Sequence, residues 1–168
     1  MKSEIENWYA LVTRSRFEKK CEKILLEKNI IVFLPTQKVI RQWSDRKKEV
    51  ELPLFPGYIF VKIDINNRSS ILNTDGIARI IRFNGVDTII PEKQIEAIKI
   101  ALSEQNIIEI NDIEFYKGQN VNILSGPFKG FKGKLVRKNN KGKFLITIDS
   151  IGKGILVEIG SSRIEKII

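Results

Sequence analysis

The sequence predicts an α+β fold in two parts: an antiparallel sheet flanked by helices, then a small five-stranded SH3-like β-barrel. Three observations predict it. Residues 5–102 mix helical and strand periodicities. Within residues 103–114 every charge is acidic (Glu104, Glu109, Asp112, Glu114), a composition shift that marks an interdomain linker. Residues 115–168 then turn into short β-prone runs punctuated by glycine, the pattern of a small barrel.

The elements follow in chain order. Trp8-Tyr9-Ala10-Leu11-Val12 is β-prone and gives a first strand. Ser15 and Glu18 are spaced as a capping box, with Phe17, Cys21, Ile24, Leu25 and Lys28 at helical spacing behind them, so a helix is expected over residues 16–28, ended by Asn29. Residues 30–40 are β-rich and interrupted at Pro35. Residues 42–51 are strongly charged and lack a core pattern, as in a long hairpin tip or a loop. Residues 57–63 are the clearest strand: Ile59, Val61 and Ile63 share one face, and Tyr58, Phe60 and Lys62 the other. A short helix over 66–72, a turn at 73–76 and a strand over 77–83 follow. Pro91-Glu92 opens a second amphipathic helix with Ile95, Ile98 and Leu102 on one face. Five short strands are expected near residues 121–124, 133–136, 143–148, 155–159 and 163–167.

Composition narrows the function. The 168 residues carry a formal net charge of +9, which attracts polyanions, nucleic acid first among them. There is no histidine and a single cysteine, Cys21, so the commonest general base, an intramolecular disulfide and a cysteine metal cluster are all excluded. Cys21 falls on the apolar stripe of the first helix and reads as core. No phosphate loop or paired-carboxylate motif in a recognisable frame is present, so neither an enzyme nor a cofactor is expected. No run approaches a membrane span and no apolar signal core opens the chain, so a cytoplasmic protein is expected.

Phe55-Pro56-Gly57-Tyr58 holds two rings beside a strand, because Pro56 fixes φ and Gly57 tolerates a sharp entry. The strand already has an aliphatic face, so the aromatic face needs another cover, either within the chain or from another protein. Asn66-Asn67-Arg68-Ser69-Ser70 and Asn73-Thr74 offer small polar groups and one arginine. These suit bases and phosphates, and equally suit ordinary caps and turns. Residues 41–48 are basic with Trp43 embedded, a mix suited to stacking plus phosphate contact, or simply a solvated tip. Lys129, Lys132, Lys134, Arg137, Lys138, Lys141 and Lys143 interleave with Phe128 and Phe131, as in an RNA-binding face or a solvated face around a core ring.

Two segments carry a resemblance. Trp8-Tyr9, the first helix and Leu54-Phe55-Pro56-Gly57-Tyr58-Ile59-Phe60-Val61 resemble the N-terminal domain of the NusG family. Lys117-Gly118, Val121 and Ser125-Gly126-Pro127-Phe128-Lys129-Gly130-Phe131-Lys132-Gly133 are similar to the KOW motif that follows it in that family. The resemblance implies a transcription elongation or antitermination factor that binds RNA polymerase at its clamp helices and suppresses pausing. It places Val12, Phe17, Phe55 and Tyr58 at the polymerase, and Arg68, Asn73 and Thr74 at the non-template DNA strand. It assigns Phe128, Lys129, Lys132 and Ile151 to a KOW-domain partner: a small-subunit ribosomal protein, termination factor Rho or nascent RNA. Ile151-Gly152 stands where housekeeping members carry Phe-Gly, which points to a specialised member and weakens Rho binding more than ribosome binding. The alternative is a ribosome-associated or RNA-binding protein that uses the KOW domain alone; the Phe55–Tyr58 patch discriminates, since a pure RNA binder has no need of it.

Overall fold

The computed structural model describes residues 5–105, 107–115, 117–138, 141–159 and 164–167. The chain divides into two compact units, Met1–Ile90 and Pro91–Ile168. In the first unit the chain runs β1 (Asn7–Thr13), α1 (Glu18–Glu27), β2 (Ile31–Phe33), β3 (Thr36–Gln42), β4 (Lys47–Pro53), β5 (Tyr58–Ile63), α2 (Arg68–Leu72), β6 (Ile77–Ile80), β7 (Arg82–Phe83), β8 (Val86–Asp87) and β9 (Ile89–Ile90). The second contains α3 (Glu92–Ser103), β10 (Ile107–Asp112), β11 (Gln119–Ile123), β12 (Lys132–Lys138), β13 (Lys141–Ile148), β14 (Lys153–Glu158) and β15 (Ile164–Lys166).

The first sheet is antiparallel in the order β2-β5-β1-β6, with β9 also paired to β1. Alternation sorts its side chains as the sequence predicts. Ile59, Val61 and Ile63 join Tyr9, Leu11 and Ile80 on one face, where α1 adds Leu25 and α2 adds Ile71. The other face is aromatic: Phe60 lies 6.1 Å from both Phe33 and Phe55, and Trp8 meets Phe33 edge-on at 6.5 Å. Strands β3 and β4 form a separate hairpin that adds no core layer and stays exposed for most of its length.

Helix α1 begins differently from expectation. Ser15 and Glu18 form no capping box: the N-cap is Phe17 and no side chain caps it. Glu18 is instead 6% exposed and accepts a hydrogen bond from the Gly57 amide at 2.7 Å. A tertiary donor, the Gly57 amide, has taken the carboxylate that local spacing offered to the helix start. The C-terminus behaves as expected. Asn29 adopts φ +58, and the amides of Asn29 and Ile30 bond to the carbonyls of Leu26 and Leu25, closing a Schellman motif.

The second unit holds a six-stranded antiparallel sheet in the order β10-β14-β13-β12-β11-β15, rather than five strands. The extra strand, β10, occupies residues expected in the acidic linker. It holds three isoleucines, it pairs with β14, and Lys153 neutralises Asp112 at 2.6 Å. Charge composition had hidden a β-branched strand. Helix α3, expected with the first domain, clusters with the second unit, where it packs against β13 and Gln94 bonds to Asp149 at 3.1 Å. The core there centres on Phe144, Phe128, Leu145 and Leu156. Gly133 is obligatory, because a Cβ would lie 2.5 Å from the Phe144 ring.

Gly76 performs the same service in the first unit. Its φ is +93, and a Cβ would stand 2.6 Å from Phe17 Cδ1 and 2.7 Å from Cys21 Sγ. Gly76→Ala is therefore expected to destabilise the protein by about 1–3 kcal/mol through combined backbone strain and crowding. Urea unfolding checks this, and a midpoint equal to wild type would remove the constraint.

Candidate functional site

The end of the β1–β5 ladder builds the most coherent surface. Val12 lies opposite Tyr58, and the Thr13 amide bonds to the Gly57 carbonyl at 2.9 Å. Both side chains are half-buried and project on the same face as Phe60. Phe17 stands on the turn that follows β1, held by Gly76 behind it and by Arg14 and Lys20 at 4.5 and 5.1 Å from its ring centre. Both cations also pair with Asp75, Lys20 at 2.7 Å. The hydrogen bond from Lys20, with Arg14 adding charge, holds the Asp75 carboxyl below the usual aspartate range.

Phe55 is placed elsewhere. It is 1% exposed and packs edge-on against Phe60, so it belongs to the core rather than to the surface that Val12, Phe17 and Tyr58 share. The aromatic face that needed a cover has found it within the chain. The Tyr58 amide bonds to the Phe55 carbonyl at 3.1 Å, so the buried ring still fixes where Tyr58 emerges.

Arg68, Asn73 and Thr74 are also sorted by burial. Asn73 is exposed at the C-cap of α2. Thr74 is 3% exposed; its hydroxyl donates to the Ser70 carbonyl at 3.3 Å and accepts from Lys28 Nζ at 2.8 Å. Thr74 is thus an internal fastener between α2 and the end of α1, and only Asn73 of the pair faces outward. Arg68 is partly exposed and pairs with Asp87 at 2.8 Å.

In the second unit Lys129 and Lys132 are exposed, whereas Phe128 is 1% exposed and packs against Phe131 and Phe144. Ile151 is 8% exposed and is followed by Gly152 at φ +65. Lys134 is half-buried, and Lys143 turns inward to pair with Glu158 at 2.6 Å. The side chains of Arg137, Lys138 and Lys141, and the whole of Arg163, lie outside the described residues.

Some surface groups escape the sequence pattern. Phe83 and Val86 face each other across the β7–β8 hairpin, 72% and 70% exposed, where sequence reading ran one strand through Phe83. The Asn84-Gly85 pair between them, at φ +48 and +80, is the local signal that marks this hairpin. Arg79, opposite Val12 on β6, is exposed and was not singled out. Trp43 is exposed at the β3–β4 tip, whose turn closes through the Trp43 amide and the Arg46 carbonyl at 2.8 Å.

Comparison with known proteins agrees with this architecture. The family profile described as "Transcription termination factor nusG" matches residues 6–99. The chain is 26% identical over 176 residues to the "Transcription termination/antitermination protein NusG" of Lactococcus lactis subsp. lactis, covering 96% of this chain and 94% of that protein. It is 27% identical over 175 residues to the protein of the same name from Pasteurella multocida, at 96% and 95% coverage. The solved structure of Thermotoga maritima NusG shares the fold, with a TM-score of 0.55 and 24% identity over 97% of this chain and 98% of that one. The chain belongs to the NusG family of transcription termination and antitermination factors. Among the described residues, no helix is long and apolar enough to cross a membrane.

The different burial of neighbours Asn73 and Thr74 gives a direct check. Thr74→Val is expected to cost about 1–2 kcal/mol by leaving the Lys28 ammonium without its hydroxyl partner. Asn73→Ala is expected to change stability by less than about 0.5 kcal/mol. Equal losses on chemical unfolding would contradict the assignment.

Proposed function

We propose that this chain is an elongation and antitermination factor that binds RNA polymerase through Val12, Phe17 and Tyr58 and suppresses pausing. The observation that carries the reading is the pairing of half-buried Val12 and Tyr58 at the end of the β1–β5 ladder, in a chain of the NusG family. Such preorganised apolar groups make good interface anchors because few rotamers are lost on binding. Phe55 contributes by bracing Tyr58 from within. The mechanism is mechanical: the bound domain holds the clamp closed across the DNA channel, and no covalent bond is made or broken. Family resemblance supplies the clamp helices as the target.

Asn73 and Arg68 form the DNA-facing side of the same proposal. The exposed Asn73 amide can pair with a base edge of the non-template strand, while Arg68 supplies charge to the backbone. Thr74 acts indirectly, by fixing the turn that presents Asn73. In the second unit, the exposed Lys129 and Lys132 suit a ribosomal-protein or RNA partner. Rho is the weaker candidate, because Ile151 is apolar, lacks the ring and is largely covered. These same lysines favour the second reading, a ribosome-associated or RNA-binding KOW protein.

Two substitutions separate the readings. Val12→Ala with Tyr58→Ala is expected to fold normally and lose roughly 30-fold in affinity for RNA polymerase, as for the loss of about 2 kcal/mol of anchor contacts. Phe55→Ala is expected to lose about 3–5 kcal/mol of stability instead. Pull-down and thermal melting read these outcomes, and undiminished polymerase binding by the double variant would leave the KOW-only reading in its place. In single-round transcription, Asn73→Ala is expected to alter pausing only at particular non-template sequences; identical sequence dependence would reduce Asn73 to a cap.

A further inference from the structure

The edge of the first sheet is interrupted at one place. Ile80 of β6 faces Leu11 of β1, and the Ile81 amide bonds to the Ala10 carbonyl at 2.9 Å. The next position of β1, Tyr9, faces Ile89 of β9 instead of residue 82. Residues 82–88 therefore leave the ladder and return to it, and the Thr88 amide closes their root on the Ile81 carbonyl at 2.9 Å. What projects is a finger made of β7 and β8. The sheet does not require it, since β6 and β9 pair with β1 on either side of the gap.

The finger has two unlike faces. Arg82 faces Asp87 across it, and the Asp87 side chain, 10% exposed, pairs with Arg82 at 3.1 Å and with Arg68 of α2 at 2.8 Å. That face is fastened to the domain. Phe83 faces Val86, so alternation puts both on the opposite side, where both are exposed. Asn84 and Gly85, at positive φ, form a tight turn matched to the twist of the two strands. Among the described residues, no other pair of large exposed apolar side chains faces each other across a ladder. A polar cross-strand pair would support the hairpin as well without showing apolar surface to water. Two such side chains held side by side on a preformed tip match an apolar pocket of a protein, where few rotamers are lost on entry. Val86 is branched and has no flat face, so the pair makes a poor platform for a nucleobase. Arg68 and Arg82 against one Asp87 leave the root net positive, which suits a pocket with an acidic rim.

We propose that the β7–β8 finger is a second anchor on RNA polymerase, seated in an apolar, acid-rimmed pocket of a polymerase segment other than the one gripped by Val12, Phe17 and Tyr58. The proposal rests on the polymerase reading above and deepens it. A factor that holds a clamp closed across a channel needs a hold on each side of it. With a single anchor it would only ride on the clamp.

The test uses the full chain and an RNA polymerase elongation complex. A photo-crosslinking amino acid is placed at residue 83 in one protein and at residue 58 in another, and the adducts are mapped. Adducts from residue 83 are expected on a polymerase peptide distant from those reached by residue 58. Adducts on the same peptide, adducts on nucleic acid, or none from residue 83 beside normal ones from residue 58 overturn the second anchor. Phe83→Ser with Val86→Ser is expected to melt like wild type and to lose about tenfold in polymerase affinity. It is also expected to leave pausing unsuppressed even at saturating concentration; full suppression there overturns the proposal. Combined with Val12→Ala and Tyr58→Ala, the two affinity losses are expected to multiply, as for independent sites. If the double serine variant is destabilised, the residue-83 adducts still decide. Failure of the parent reading looks different: residue 58 then gives no polymerase adduct while residue 83 does.

Discussion

Strand β1 is hydrogen-bonded on both edges, to β5 along one and to β6 and β9 along the other. Its side chains are apolar on both faces, so both faces need cover, and Trp8, Tyr9, Ala10 and Leu11 are all buried. The first unit is organised around meeting that demand twice. Aliphatic side chains and two helices cover one face, and a cluster of four aromatic rings covers the other. Only where the ladder ends, at Val12 and Tyr58, does the cover thin out. The candidate polymerase surface is the part of this constraint left unmet.

A basic chain uses its few acids with economy. Glu18 takes the Gly57 amide, Asp75 gathers Arg14 and Lys20 beside Phe17, and Asp87 holds Arg68 and Arg82. Each carboxylate joins segments distant in sequence, and each stands next to a residue with a proposed role. Burial makes the Glu18 and Asp87 ties specific, since an acid drawn out of water must be bonded to persist, whereas Asp75 makes its pairs at the surface. Internal ties of this kind leave the remaining positive charge on the surface, where the partners proposed here are polyanions or polyanion-bearing machines.

In the second unit the same logic separates ring from charge. Phe128 closes the core with Phe144, and the neighbouring Lys129 and Lys132 stay outside. A motif that reads as alternating aromatic and basic residues thus divides its labour by side: the ring builds the sheet's interior and the lysines define its exterior. Lys143, on a central strand, is captured by Glu158 and lost to that exterior.

The sequence by itself determined the class of fold, the split faces of residues 57–63, the helix end at Asn29 and the family. Periodicity, αL chemistry and motif order are local properties and survive without coordinates. It also determined that Asn73, Lys129 and Lys132 were polar groups of interest. Only the tertiary structure decided that Phe55 and Phe128 are core, that Thr74 is a fastener, and that Glu18 serves a turn rather than its own helix. It also revealed β10 inside an acidic run and set Phe83 and Val86 outside the sheet. The physical reason is the same throughout. An aromatic ring, a hydroxyl or a carboxylate carries no mark of which side it faces until segments tens of residues away compete for it, and burial settles that competition only once the chain has closed.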